Sequence, residues 1–162
     1  MLRAVEMTLD AFFAGIDADN RRKPGTHRLG PALSDRELLL WEKAHPGMTV
    51  PEDLVALLRR SNGLGICRNP DSPGGADCCF HPLKDVRHAG KFMYEDGSAA
   101  TSIPASWYAL AQDADGTSVL TVDMATGEVF VVDPIDSSEA TILFGSFEGA
   151  LEWLSEFFPE LS

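Results

Sequence analysis

Residues Val50–Gly65, VPEDLVALLRRSNGLG, constrain the fold more than any other stretch, because they specify one helix and both of its ends. Pro51 suits the first helical position, where its missing N–H is not needed and its φ is preset. Glu52 and Asp53 put negative charge on the positive end of the helix dipole, and Arg59 and Arg60 put positive charge on the other. Leu54, Leu57 and Leu58 recur at i, i+3 and i+4, the spacing of an apolar stripe that faces a core. Asn62-Gly63 tolerates the left-handed backbone that ends a helix. The remaining chain must therefore supply a core for this stripe.

Upstream, Leu2, Val5, Leu9, Phe12, Phe13 and Ile16 share a helical face, which predicts a helix over residues 2–16. The following DADNRRKPGTHRLGP reads as an exposed loop in which Arg21, Arg22 and Lys23 are solvated. A second helix opens at Ser34: Ser34 and Glu37 have capping-box spacing, and Leu33 with Leu38 suits the hydrophobic staple around it. His45-Pro46-Gly47 ends that helix.

Beyond Gly65 the pattern changes to short β-rich runs. A strand before a Pro/Gly loop at Asn69–Ala76 and another at Cys78–Phe80 are expected, then a short helix over Asp85–Tyr94. Trp107–Gln112, Ser118–Asp123 and Glu128–Asp133 read as strands of an antiparallel meander, with Thr141–Phe144 at an edge. A closing helix, Ser146–Phe158, has Ser146 as N-cap and Phe147, Leu151, Leu154 and Phe158 on one face. No repeat and no long linker divides the 162 residues, so one domain is expected, with residues 1–33 as an N-terminal helix plus basic loop extension. Helices, then strands, then a helix imply an α+β fold: a mainly antiparallel sheet packed by helices on one side.

The net charge of −12 is unevenly placed. Residues 1–91 hold all 13 Lys and Arg beside 12 acids, whereas residues 92–162 hold 13 acids and no basic residue. Such a surface repels nucleic acid and anionic membranes and attracts a cationic partner. Glu148, Glu152 and Glu156 stand four apart on the closing helix with no Lys to offset them. Like charges at that spacing destabilise a helix slightly, and a basic partner would give the stripe a use. No stretch approaches the roughly 20 apolar residues of a membrane span. Glu6 and Asp10 interrupt any signal-like N-terminus, so a cytoplasmic protein is expected.

Catalytic signatures are weak. Neither G-x-G-x-x-G, a P-loop, G-x-S-x-G nor H-E-x-x-H occurs. Cys67, Cys78, Cys79, His81 and His88 lack paired C-x₂₋₄-C spacing, and adjacent strand residues point to opposite faces, so neither a metal nor any other cofactor is expected. A hydrolase built on Cys79 with His81 or His88 needs a lowered thiol pKa, which acid-rich surroundings oppose. No enzymatic activity is expected.

The ordered set of motifs resembles the SUKH superfamily of bacterial toxin-immunity proteins, which share a fold with SMI/KNR-like regulators of yeast cell-wall synthesis. The resemblance runs from about Ser34 to Phe158. It is carried by Pro51 and Asp53 with Leu57-Leu58 and Asn62-Gly63, and by His81-Pro82-Leu83 with Asp85-Val86. Ile103-Pro104 through Ala111, the Asp123–Asp133 hairpin, and Phe144-Gly145-Ser146-Phe147 with Leu151 and Leu154 complete it. The N-terminal extension, the Cys78-Cys79 pair and the Asn69–Ala76 loop depart from the family pattern.

The resemblance implies binding rather than catalysis: a cytoplasmic immunity protein, acting in bacterial competition, that occludes a cognate, nuclease-like polymorphic toxin with a basic surface. Asp113, Asp115, Glu128, Asp136 and Glu139 at strand ends and turns, with Glu148, Glu152 and Glu156, are the expected partner-binding residues. Trp107 and Tyr108 are candidate aromatic anchors, one of the two belonging to the core. A regulatory or scaffolding module without a toxin partner is the alternative.

Overall fold

The computed structural model describes residues 7–67, 77–92, 103–114, 118–133 and 140–159. Among these residues the chain forms α1 (Leu9–Arg22), α2 (Asp35–Ala44), α3 (Glu52–Arg60) and α4 (Phe147–Ser155). The strands are β1 (Arg28–Leu29), β2 (Leu64–Ile66), β3 (Cys78–Phe80), β4 (Arg87–His88), β5 (Trp107–Asp113), β6 (Val119–Asp123), β7 (Val129–Val132) and β8 (Ala140–Leu143).

α3 is the helix of the opening stretch. Leu54, Leu57 and Leu58 are buried, and each such burial stabilises the fold by about 2 kcal/mol. Pro51 is the N-cap rather than the first helical residue, a shift of one position. Arg59 pairs with Asp35 of α2 at 2.7 Å and Arg60 with Asp10 of α1 at 2.9 Å. Both pairs are exposed, so they orient the helices more than they stabilise them.

The turn after α3 joins four segments. Gly63 adopts φ +97°, the left-handed conformation for which Asn-Gly is suited. The buried Asn62 side chain donates to Glu37 Oε2 at 3.1 Å and accepts from the Leu83 N–H at 2.8 Å. Its own N–H donates to the Pro31 carbonyl at 2.7 Å. Ser61 Oγ accepts from the Gly30 N–H at 2.9 Å and donates to the Gly63 carbonyl at 2.6 Å. A Cβ at Gly30 would lie 2.3 Å from the Asn62 carbonyl oxygen, so only glycine fits there. Glu37 holds two parts of the fold at once: one oxygen completes the Ser34 capping box and the other meets Asn62.

The N-terminal helix differs from expectation. It starts at Leu9, with Thr8 Oγ1 accepting from the Ala11 N–H, and continues to Arg22, through the first six residues of the expected basic loop. Asp19 explains the extension. Its backbone carbonyl takes the Lys23 N–H, and its carboxylate takes both Arg22 and the buried His27. Residues 2–6 lie outside the described residues. Phe12, Phe13 and Ile16 are buried in the main core, so the extension is integral to the fold.

All strand pairings are antiparallel, in the order β1-β2-β3-β5-β6-β7-β8, with β4 also beside β5. The four helices contribute to one core, against a sheet face that includes Phe80, Leu110, Leu120, Val129 and Val131. The α+β architecture with helices on one side is therefore the observed one. The other face is also covered at its centre: Ala89, Ile103, Phe130 and Val132 form a second cluster, with Trp107 against it. This explains why β6 and β7 read as nearly continuous apolar runs instead of alternating.

Two further elements depart from expectation. The helix expected over Asp85–Tyr94 is a 3₁₀ turn at Leu83–Asp85, then β4, then a second 3₁₀ turn at Ala89–Phe92. Pairing of Arg87 and His88 with β5 takes the backbone that a helix would use. α4 stops at Ser155, three residues short, because the Phe157 and Phe158 N–H groups tighten to i−3 carbonyls and Pro159 disfavours a helical residue before it. The Asn69–Ala76 loop and Tyr94 lie outside the described residues.

Candidate functional site

Among the described residues, the expected acidic side chains do not form one patch. Asp113 lies at the end of β5, next to the start of β6, and its Oδ1 accepts from the Ser118 N–H at 3.2 Å. It thus shapes a turn. Glu128, exposed before β7, lies at the opposite end of the sheet, since β6 and β7 run antiparallel between them. Asp115, Asp136 and Glu139 lie outside the described residues.

Glu148, Glu152 and Glu156 follow α4, with Glu156 as its C-cap. Four residues advance a helix by slightly more than one turn, so the stripe drifts round the axis. The carboxylates consequently line two clefts. Glu148 stands in a cleft of about 190 Å³ with Leu9, Asp53, Ala56 and Leu151. Glu152 and Glu156 line a groove of about 430 Å³ between α4 and β8, with Ile142, Leu143, Phe144 and Trp153.

This groove is the most distinctive surface of the molecule, and the charge pattern revealed only its acidic wall. Ile142 is 41% exposed and Leu143 64% exposed, although both belong to a strand. Phe144, Trp153 and Phe157 continue the apolar surface, with ring centroids 6.3 and 5.1 Å apart in succession. The uncharged run Ala140–Leu143 at the end of the strand order is the sequence signal that marks it.

The aromatic candidates turn inward. Tyr108 is buried, edge-on to Trp41 and His45, and Trp107 is half-buried with its ring 4.5 Å from Phe130. Neither ring projects as an anchor.

The sulfur and imidazole groups are dispersed by the alternation of β3. Cys78 is buried and Cys79 exposed. Burial pushes the Cys78 thiol well above its ordinary pKa, and Cys79, Asp113 and Asp77 add to the shift, so this sulfur stays protonated. Burial lowers the His81 imidazole, with Arg87 reinforcing the shift and Asp85 opposing it. His88 bonds the Pro104 carbonyl at 2.9 Å and takes the Gly90 N–H at 3.2 Å. His45 stacks on Trp41 at 4.0 Å.

Sequence reasoning did not find the bond from His27 Nε2 to Asp19, at 2.8 Å. The other ring nitrogen, Nδ1, accepts the Cys67 N–H at 3.1 Å, which fixes the tautomer with the proton on Nε2. An Asp–His pair so capped by a backbone amide ties α1 to the residue that follows β2, and its imidazole has no lone pair left to activate a nucleophile. Among the described residues no group of three His, Cys, Asp or Glu is placed to hold a metal ion, and no helix is long and apolar enough to cross a membrane.

Comparison with curated proteins finds no match. The model of the SMI1 / KNR4 family (SUKH-1) matches residues 32–153, from the segment leading into α2 as far as Trp153 of α4. That span includes the Asn62 turn, the whole sheet from β2 to β8 and most of the acidic helix, and the chain belongs to this family.

Proposed function

We propose that this protein is a cytoplasmic immunity protein that binds a basic, nuclease-like toxin and blocks its nucleic-acid cleft with carboxylates. Family membership supports a binding role of this kind. The observation that carries the finer reading is the absence of any Lys or Arg after residue 91, which leaves the acids of α4 and of the turns and strand ends before it without a basic counterpart in this part of the sequence. Glu148, Glu152 and Glu156 supply the main contact, with Glu128, Asp113, Asp115, Asp136 and Glu139 adding to the field that steers a basic partner. Occlusion requires no catalytic group: carboxylates take the positions of substrate phosphates against toxin Lys and Arg side chains.

The test is genetic. A toxin gene is expected immediately upstream, and its C-terminal domain expressed alone is expected to arrest growth. Co-expression of this chain is expected to restore growth, and the Glu148→Lys/Glu152→Lys/Glu156→Lys variant to fail. Arrest unrelieved by the unaltered chain overturns the proposal; a neighbourhood without a toxin favours a scaffolding role.

A further inference from the structure

The sheet has two ends with different properties. β1 has two residues, one of them Arg28, and such a short, charged edge is a poor template for another strand. β8 has four residues and no charge, and among the described residues no strand pairs with its outer side. Its register with β7 is regular at Val131↔Ile142 and Phe130↔Leu143, the irregularity falling nearer Ala140.

The ladder fixes where the backbone of Leu143 points. The Phe144 N–H donates to the Val129 carbonyl at 3.1 Å, on the β7 side. Neighbouring residues of an antiparallel strand alternate in direction, so the N–H and C=O of Leu143 point away from β7. Leu143, more exposed than Ile142, thus also presents the outward backbone pair. Ile142 sits opposite Val131, on the helix-bearing face, beside the groove wall that holds Trp153, Glu152 and Glu156.

We propose that an extended basic segment of the protein partner adds to β8 as an extra strand, pairing with the Leu143 backbone and laying side chains in the groove against α4. The geometry supplies both halves of strand addition: main-chain hydrogen bonds for affinity and a side-chain groove for specificity. The groove has carboxylates on its wall and no Lys or Arg among its lining residues, which selects Lys or Arg over acidic side chains in the incoming strand. A second copy of this chain is disfavoured, because edge-to-edge pairing about a two-fold axis brings Glu152 and Glu156 towards their own counterparts. This inference rests on the proposed function only in taking the partner to be a basic protein.

The test is residue-resolved amide exchange on the full chain, free and with the toxin domain encoded beside its gene. In the free protein the Leu143 amide is expected to exchange fast and the Phe144 amide slowly. In the complex, Leu143 is expected to slow by about tenfold or more, joined by protection along α4. Leu143→Pro removes the outward donor while sparing the bonds to β7, and Leu143→Lys places a blocking charge on the edge. Each is expected to weaken binding about tenfold, while Leu40→Lys on the exposed face of α2 leaves it unchanged.

A complex that forms with Leu143 still exchanging fast, or that tolerates Leu143→Lys, overturns strand addition and leaves the immunity reading intact. If the toxin domain does not bind, an alternating Val-Lys heptapeptide serves as the probe: Leu143 protection by it supports the inference, and no protection overturns it.

Discussion

Replacing Asn62 with alanine isolates the turn that organises the fold. Asn62→Ala deletes two hydrogen bonds, to Glu37 Oε2 and from the Leu83 N–H. The second loss dominates. The Leu83 bond is buried, so its amide is left without an acceptor at a cost of about 1–3 kcal/mol. The Glu37 bond is partly solvent-exposed and adds about 0.5–1 kcal/mol. The sum, about 3 kcal/mol, is a large share of the stability of an ordinary domain and lowers Tm by roughly 6–12 °C for a chain of this size.

Urea unfolding followed by circular dichroism measures the change directly, with an unchanged m-value showing that the native surface is kept. Asn62→Asp sharpens the test. It retains an acceptor for Leu83 but sets a carboxylate against Glu37, so its loss is expected to fall between those of the wild type and Asn62→Ala. A change below about 1 kcal/mol for Asn62→Ala would refute the reasoning, since a single buried unpaired amide should exceed it.

The remaining predictions concern backbone fit, pH and thiol access. Gly30→Ala forces a Cβ into the Asn62 carbonyl, and because the obstacle is backbone it is expected to destabilise by about 2–3 kcal/mol in the same urea assay. His81 is held neutral by burial, so the unfolded chain takes up its proton first as pH falls. Its contribution is complete above its ordinary pKa of 6.5 and is lost as pH falls from there through the lower folded value. The stability of His81→Gln is therefore expected to vary less than that of the wild type between about pH 7.5 and about pH 5. A thiol reagent is expected to modify Cys79 in the native protein and Cys78 only on unfolding, read by mass spectrometry of labelled peptides.

Local signals that involve neighbours in sequence were legible. The Ser34 capping box, the three leucines of α3 and the β-branched runs of β6 and β7 act within a few residues, and each formed as its pattern implies. What was not legible depends on partners distant in the chain. Helix α1 outruns its apolar face because Asp19 meets His27, and residues 87–88 become a strand because β5 lies beside them. The acidic pattern singles out the α4 carboxylates as expected contacts, but strand order separates Asp113 from Glu128, and Glu148 lines a different cleft from Glu156. The groove at β8 was legible only in part: the strand reads as an edge strand, but the groove exists because α4 packs beside that edge, and this contact between distant segments leaves no local pattern.

The most direct measurement is the affinity for the adjacent toxin domain across a salt series, for the unaltered chain and for the Glu148→Lys/Glu152→Lys/Glu156→Lys variant. The expected result is tight binding at low salt that weakens steadily as salt rises, with the variant binding more weakly and depending less on salt. Affinity that is equal for the two proteins and insensitive to salt contradicts an acidic surface that occludes a basic toxin.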